Sequence, residues 1–108
     1  RTTRRESKPM ARNFYSAYIE HCMRFYARYS KPNHFRSDAD RKNWLACDNA
    51  LKDFSAEDRE RLLTIYREGD TIPDNVYQLS KKEKVNQDTI WKLLGDLERK
   101  VAKRRGLI

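Results

Sequence analysis

Apolar residues in this chain recur three or four positions apart, and no stretch alternates apolar with polar residues as a half-buried strand would. That period confines the chain to helices, and only three Gly and three Pro interrupt it. With 38% apolar and 37% charged residues, the core must come from one face of each amphipathic helix while the remaining faces carry charge. A length of 108 residues suits one small domain with a single core. The expectation is an all-α fold of about five helices, with a C-terminal helix-turn-helix packed on N-terminal helices.

Residues 1–8 (RTTRRESK) are polar and basic and read as a flexible tail. From Pro9, a residue suited to a first helical turn, a helix is predicted to run to about Tyr29. Met10, Phe14, Tyr18, Cys22, Phe25 and Tyr29 form its apolar stripe, and Tyr15, Ile19 and Tyr26 broaden it. Such aromatics can stack on bases, but at this spacing in a small domain they belong to a core. The helix is long enough to serve a homodimer interface as easily as an intramolecular one. SKPNHFRSD (30–38) is a linker broken by Pro32 and Asn33. A second helix is predicted from about Asp38 to Phe54, packing Trp44, Cys47, Leu51 and Phe54. Ser55 to Asp58 resembles a capping box opening a third helix, which carries Leu62, Leu63, Ile65 and Tyr66. Gly69 is expected at C′ of that helix, and Pro73 at the start of the fourth. The chain thus divides into the tail, an N-terminal helical segment (9–53) and a helix-turn-helix segment (54–108), expected to form one compact domain.

The formal charge of +8 is unevenly spread. Residues 1–12 carry five basic groups against Glu6, and residues 13–36 four against Glu20. Residues 37–70 reverse the sign, with six basic and nine acidic groups. Residues 75–108 carry nine basic groups and four acidic ones. Positive ends around an acidic middle suit a polyanion bound at selected surfaces. Cys22 and Cys47 form no C-x-x-C pair and read as small buried hydrophobes in a reducing compartment. His21 and His34 are too isolated for a metal site, so no metal or cofactor is expected. No apolar run has the length of a membrane span or a signal peptide, which points to the cytoplasm and to no membrane partner. The first residue is Arg1 rather than Met, so an upstream piece is expected to be missing. An enzyme is not expected: there are no paired carboxylates in a metal-like array, no nucleophile beside a base and no Gly-rich phosphate loop.

The last third, LSKKEKVNQDTIWKLLGDLERKVAKRR, has helix-turn-helix spacing. Leu79 and the small Ser80 belong to a first helix, Val85 to the turn, and Asn86 is a ready N-cap for a second helix. On a wheel of ~100° per residue, Leu93, Leu94, Leu97 and Val101 fall within about 60° of Ile90, while Asp88, Lys92 and Arg99 lie near the opposite pole. Gln87 and Trp91 flank the core face. The first turns of a docked recognition helix reach base edges, so Gln87, Asp88, Trp91 and Lys92 are the candidate base readers. Asp88 suits cytosine or, alternatively, the helix dipole, and Trp91 suits packing as well as readout. Lys81, Lys82, Lys84, Asn86, Arg99, Arg104 and Arg105 are the candidate phosphate contacts. Gly95, unfavourable in a helix interior, suggests close approach of another backbone. Glu83 stands where the first helix usually offers an apolar residue, and Lys84 occupies a corner that favours Gly.

Residues 54–105, with FSAEDRERLLTIYREGD followed by VYQLSKKEKVNQDTIWKLLGDLERKVAKR, resemble region 4 of sigma-70-type transcription factors. The stretch TIPDNVYQLS through LERKVAKRRGLI looks most like small sigma-like regulators of phages and conjugative transposons in Gram-positive bacteria. Residues 9–53 do not resemble the sigma region that melts promoter DNA. The resemblance implies a sequence-specific regulator reading double-stranded DNA through Gln87, Asp88, Trp91 and Lys92, with RNA polymerase as a further partner. The alternative is an interaction module that docks on RNA polymerase through Tyr66 and the third helix, with weak or no DNA binding of its own.

Overall fold

A computed structural model describes residues 13–29 and 35–108. The described residues hold five helices and no strand: α1 (Ser16–Arg28), α2 (Asp38–Leu51), α3 (Ala56–Arg67), α4 (Ile72–Glu83) and α5 (Gln87–Arg104). The expected tail, the Pro9 start with Met10, and the linker breakers Pro32 and Asn33 lie outside the described residues.

Within that range α1 begins later than the apolar pattern suggested. Asn13 to Tyr15 form a turn in which the Asn13 N–H donates to Ser16 Oγ (2.9 Å) and the Ser16 N–H returns a bond to the Asn13 carbonyl (3.0 Å). The buried face is also rotated. Tyr15, Ile19, Cys22 and Met23 are buried, whereas Phe14 is 82% exposed and Tyr18 38%. Ile19 and Met23 carry no polar atom that needs a partner, so they take the centre. Tyr18 sits at the edge, where its hydroxyl donates to Asn43 Oδ1 (2.9 Å). This face meets α2, α3 and α5 together.

Local caps set the other boundaries. Ser37, Ser55 and Thr71 each accept the N–H three residues on, from Asp40, Asp58 and Asp74. Each of these acceptors satisfies one N–H that a helix start leaves open, and the acids in the first turns favour the dipole. The helix α2 stops at Leu51, short of the predicted Phe54, because the Asp53 and Phe54 N–H groups reach back only three residues. Phe54 still packs on the core.

The end of α3 departs from expectation. Gly69 does not adopt the left-handed conformation; among the described glycines, Gly106 alone does (φ 74°). The α3 carbonyls are closed by tertiary donors instead. Asn75, 5% exposed, donates Nδ2 to the carbonyls of Ile65 (2.8 Å), Asp70 (3.2 Å) and Glu68 (3.3 Å). The Arg24 guanidinium bonds the carbonyls of Glu68 (2.6 Å), Asp70 (2.8 Å) and Tyr66 (3.4 Å). With those groups satisfied, no left-handed residue is required. It is α5 that closes in that way: the Leu107 N–H reaches the Ala102 carbonyl (2.8 Å) across Gly106.

The core joins Ile19 and Met23 to Cys47, Leu51, Leu62, Ile65, Tyr66, Val76, Ile90, Leu94, Leu97 and Val101. Cys22 and Cys47 are free thiols inside it. Burial pushes the Cys22 thiol up to about 11 and Cys47 further still, so neither is poised as a thiolate. Asn43 Oδ1 accepts from both Tyr18 and Arg105 Nε (2.5 Å), tying α1, α2 and α5 at one point. Among the described residues, no helix is long and apolar enough to cross a membrane.

Candidate nucleic-acid interface

The helices α4 and α5 are joined by Lys84, Val85 and Asn86. Lys84 adopts the left-handed conformation (φ 57°, ψ 43°) that a corner of this kind demands, without the help of Gly. The N–H groups of Lys84 and Val85 both donate to the Ser80 carbonyl, and Ser80 Oγ donates to the Val85 carbonyl at 2.6 Å. Ser80 thereby closes the turn, while Val85 packs its side chain against the core. Asn86 caps α5, its Oδ1 accepting from the Asp88 N–H at 2.7 Å. This commits the Asn86 oxygen to the helix start, so its expected phosphate role is reduced to what its amide nitrogen can offer.

Glu83 swings outward, as a polar residue at that position must. Its carboxylate meets Arg61 Nε of α3 at 2.6 Å. Because Asn75 at the start of α4 reaches the end of α3 and Glu83 at the end of α4 reaches Arg61, the two helices run antiparallel.

The first turns of α5 sort the candidate readers. Asp88 and Lys92 are exposed and Gln87 is half-buried. Trp91 is 7% exposed and belongs to the core, and its buried indole N–H has no hydrogen-bond partner. Its expected base contact is corrected to packing, because the ring is enclosed by neighbouring helices. The buried sector of α5 also takes in Glu98 and Ala102, which share the Trp91 side of the helix. Ser16 Oγ of α1 donates to Glu98 there at 3.0 Å. The exposed sector turns correspondingly toward Thr89, which the sequence reading omitted. Thr89 stands about 100° from Ile90 on the side away from Trp91, so the same wheel would have found it once the buried side was known.

The phosphate candidates divide by pairing. Arg99 is bonded to Asp96, and Arg104 lies 3.9 Å from Asp53, which also takes Lys100 at 3.3 Å. Arg105 is half-buried against Asn43 and serves α5 packing, which removes it from the phosphate set. Lys81, Lys82, Lys84 and Lys92 are exposed and have no carboxylate partner among the described residues, Lys81 resting 5.3 Å from the Tyr77 ring centre. The cations of α2 are instead matched with acids a turn away, Arg41 and Lys42 with Asp38 and Lys52 with Asp48. Four exposed cations without a carboxylate partner among the described residues thus flank the turn; Arg28, Arg59 and Lys103 are also exposed without one. Gly95 is half-buried among these elements. Tyr66, the residue through which α3 was expected to dock on RNA polymerase, is 2% exposed in the core and offers no ring to a partner.

No protein-family model matches this chain, and no curated protein or solved structure is significantly similar to it.

Proposed function

We propose that this chain is a sequence-specific binder of double-stranded DNA and a transcriptional regulator of the sigma-region-4-like kind, working in the cytoplasm without catalysis. The start of α5 enters the major groove, and Lys81, Lys82 and Lys84 meet phosphates. The observation that carries this reading is that Lys81, Lys82, Lys84 and Lys92, exposed and without a carboxylate partner among the described residues, flank the turn between α4 and α5, while the cations of α2 are paired. Gln87, Asp88, Thr89 and Lys92 then present donors and acceptors to base edges. RNA polymerase enters as a second partner on the strength of the resemblance alone.

Selection of bound sequences from a random duplex library, at two salt concentrations and with RNA polymerase absent and then present, tests the reading. Three phosphate contacts give a slope of log affinity against log salt of about −2.7. An enriched motif without polymerase supports a self-sufficient reader. Enrichment only with polymerase moves the reading to a polymerase-dependent regulator, and no enrichment in either case refutes it.

A further inference from the structure

The lysine-rich segment of the α4–α5 corner contains one acid, Glu83, between Lys82 and Lys84. A carboxylate there would repel the phosphates that its neighbours attract. Its position is fixed by Arg61, which reaches across from α3. The guanidinium touches Glu83 through Nε at 2.6 Å, Asp58 through Nη1 at 3.3 Å and Glu57 through Nη2 at 3.3 Å. The shortest contact is with the one carboxylate that belongs to the corner. The Arg61 side chain is 18% exposed, against 76% for Glu57, so the cation is held between α3 and α4 rather than offered to solvent.

We infer that Arg61 is a positioning residue for the DNA face: it draws the Glu83 carboxylate toward α3 and away from Lys81, Lys82 and Lys84, leaving them to meet phosphate without an acid among them. This rests on the DNA-binding reading of the α4–α5 unit. Arg61 touches no DNA in this scheme and acts only through Glu83. The hydrogen bond that Arg61 donates to Glu83 also raises the Arg61 pKa, so the guanidinium stays charged throughout the range in which DNA is bound. Without Arg61, Glu83 would offset one lysine. One phosphate contact fewer changes the salt slope by about 0.9 and the affinity about eightfold at roughly 0.1 M salt.

The test is a double-mutant cycle read by fluorescence anisotropy on a labelled duplex, comparing wild type, Arg61→Gln, Glu83→Gln and the double variant. Arg61→Gln is expected to weaken binding about eightfold at roughly 0.1 M salt. Glu83→Gln alone is expected to change it less than about twofold, and in the Arg61→Gln background to restore it to within about twofold of wild type. Equal gains from Glu83→Gln in both backgrounds would mean that only total charge matters, and would overturn the inference. A loss on Arg61→Gln that Glu83→Gln does not rescue would make Arg61 purely structural, which also overturns it, as does no loss at all. Circular dichroism checks folding; if Arg61→Gln is unfolded, Arg61→Lys takes its place, with a smaller loss rescued by the same Glu83→Gln change. Wild-type protein that binds no duplex in a salt-dependent way sinks the DNA-binding reading itself, a result distinct from wild-type binding with an uncoupled cycle.

Discussion

Lys84→Gly should move stability and DNA affinity in opposite directions. Lys84 holds φ 57° and ψ 43°, a conformation that costs an L-residue roughly 1–2 kcal/mol through the clash of Cβ with the next carbonyl. Gly removes that clash and adds about 0.5–1 kcal/mol of conformational entropy to the unfolded chain. The backbone bonds of the turn, from the Lys84 and Val85 N–H groups to the Ser80 carbonyl, need no side chain at Lys84 and persist. Lys84 is exposed, so no buried contact is lost. The net is a gain of about 0.7 kcal/mol, which raises Tm by roughly 3–5 °C for a domain near 100 residues. Loss of one phosphate cation lowers affinity about eightfold at roughly 0.1 M salt and flattens the salt slope by about 0.9. Lys84→Ala keeps the clash and loses the charge, so it should lower affinity equally without raising Tm. Thermal melting by circular dichroism and anisotropy on a labelled duplex read both quantities. A lower Tm for Lys84→Gly would refute the strain argument, and unchanged affinity would remove Lys84 from the phosphate contacts.

Asn75→Ala takes the side-chain donor from the buried Ile65 carbonyl and two of its neighbours, and should cost about 1–3 kcal/mol in urea unfolding; a loss under about 0.5 kcal/mol would mean that Arg24 alone closes α3. Gln87→Ala and Lys92→Ala should each reduce discrimination between selected and scrambled sites by about 1–3 kcal/mol, and unchanged site preference in both would displace the reading helix from α5. Stability should fall at alkaline pH. Burial raises the Cys22 thiol from near 9.0 to about 11, and burial also raises Cys47, Tyr66 and Tyr26, the last with help from its hydrogen bond to Asp48. The folded state favours each protonated, neutral form, so this stability is intact below the unfolded pKa and is lost as pH rises through the folded one. For Cys22 the loss is on the order of 2–3 kcal/mol, and a urea midpoint that stays flat from neutral pH to about 11 would contradict it.

What could be read from the sequence was what depends on near neighbours. Ser55 as a cap, Pro73 in the first turn of α4, Asn86 opening α5 and the special corner at Lys84 all act within a few residues of themselves. Which side of a helix is buried depends on its neighbours, and there the reading slipped. The wheel of α5 placed Ile90, Leu94, Leu97 and Val101 in the buried sector, but gave no reason for that sector to turn away from Leu93 toward Trp91, Glu98 and Ala102. On α1 the aromatic stripe through Phe14 and Tyr18 lost the centre to Ile19 and Met23, because three helices converge on that side. Gly69 looked like a helix stop by its place alone, yet the donors that close α3 come from Arg24 and Asn75. Arg24 lies 44 residues from the Glu68 carbonyl it bonds, and Arg61 lies 22 from Glu83. No local pattern carries such partners.

Pairing also decides how much of the net charge can act on DNA. The segment 75–108 has nine basic residues, and if each neutralised a phosphate the salt slope would approach about −8. Exposed ion pairs such as Arg99–Asp96 and Lys100–Asp53 contribute little to stability, but they set an acid beside each cation. Arg105 is turned inward to Asn43, and Lys103, without a carboxylate partner among the described residues, sits at the far end of α5 from the turn. The lysines left at the corner to meet phosphate are Lys81, Lys82 and Lys84, with Lys92 at base edges, which is why the expected slope is about −2.7. Between roughly 50 and 200 mM salt that slope lowers affinity about 40-fold, whereas a slope of about −8 would lower it more than ten-thousandfold. The steeper value would mean that phosphate runs along the whole of α5 and breaks the Asp53 and Asp96 pairs. A slope near zero would mean that the unpaired lysines face no phosphate at all.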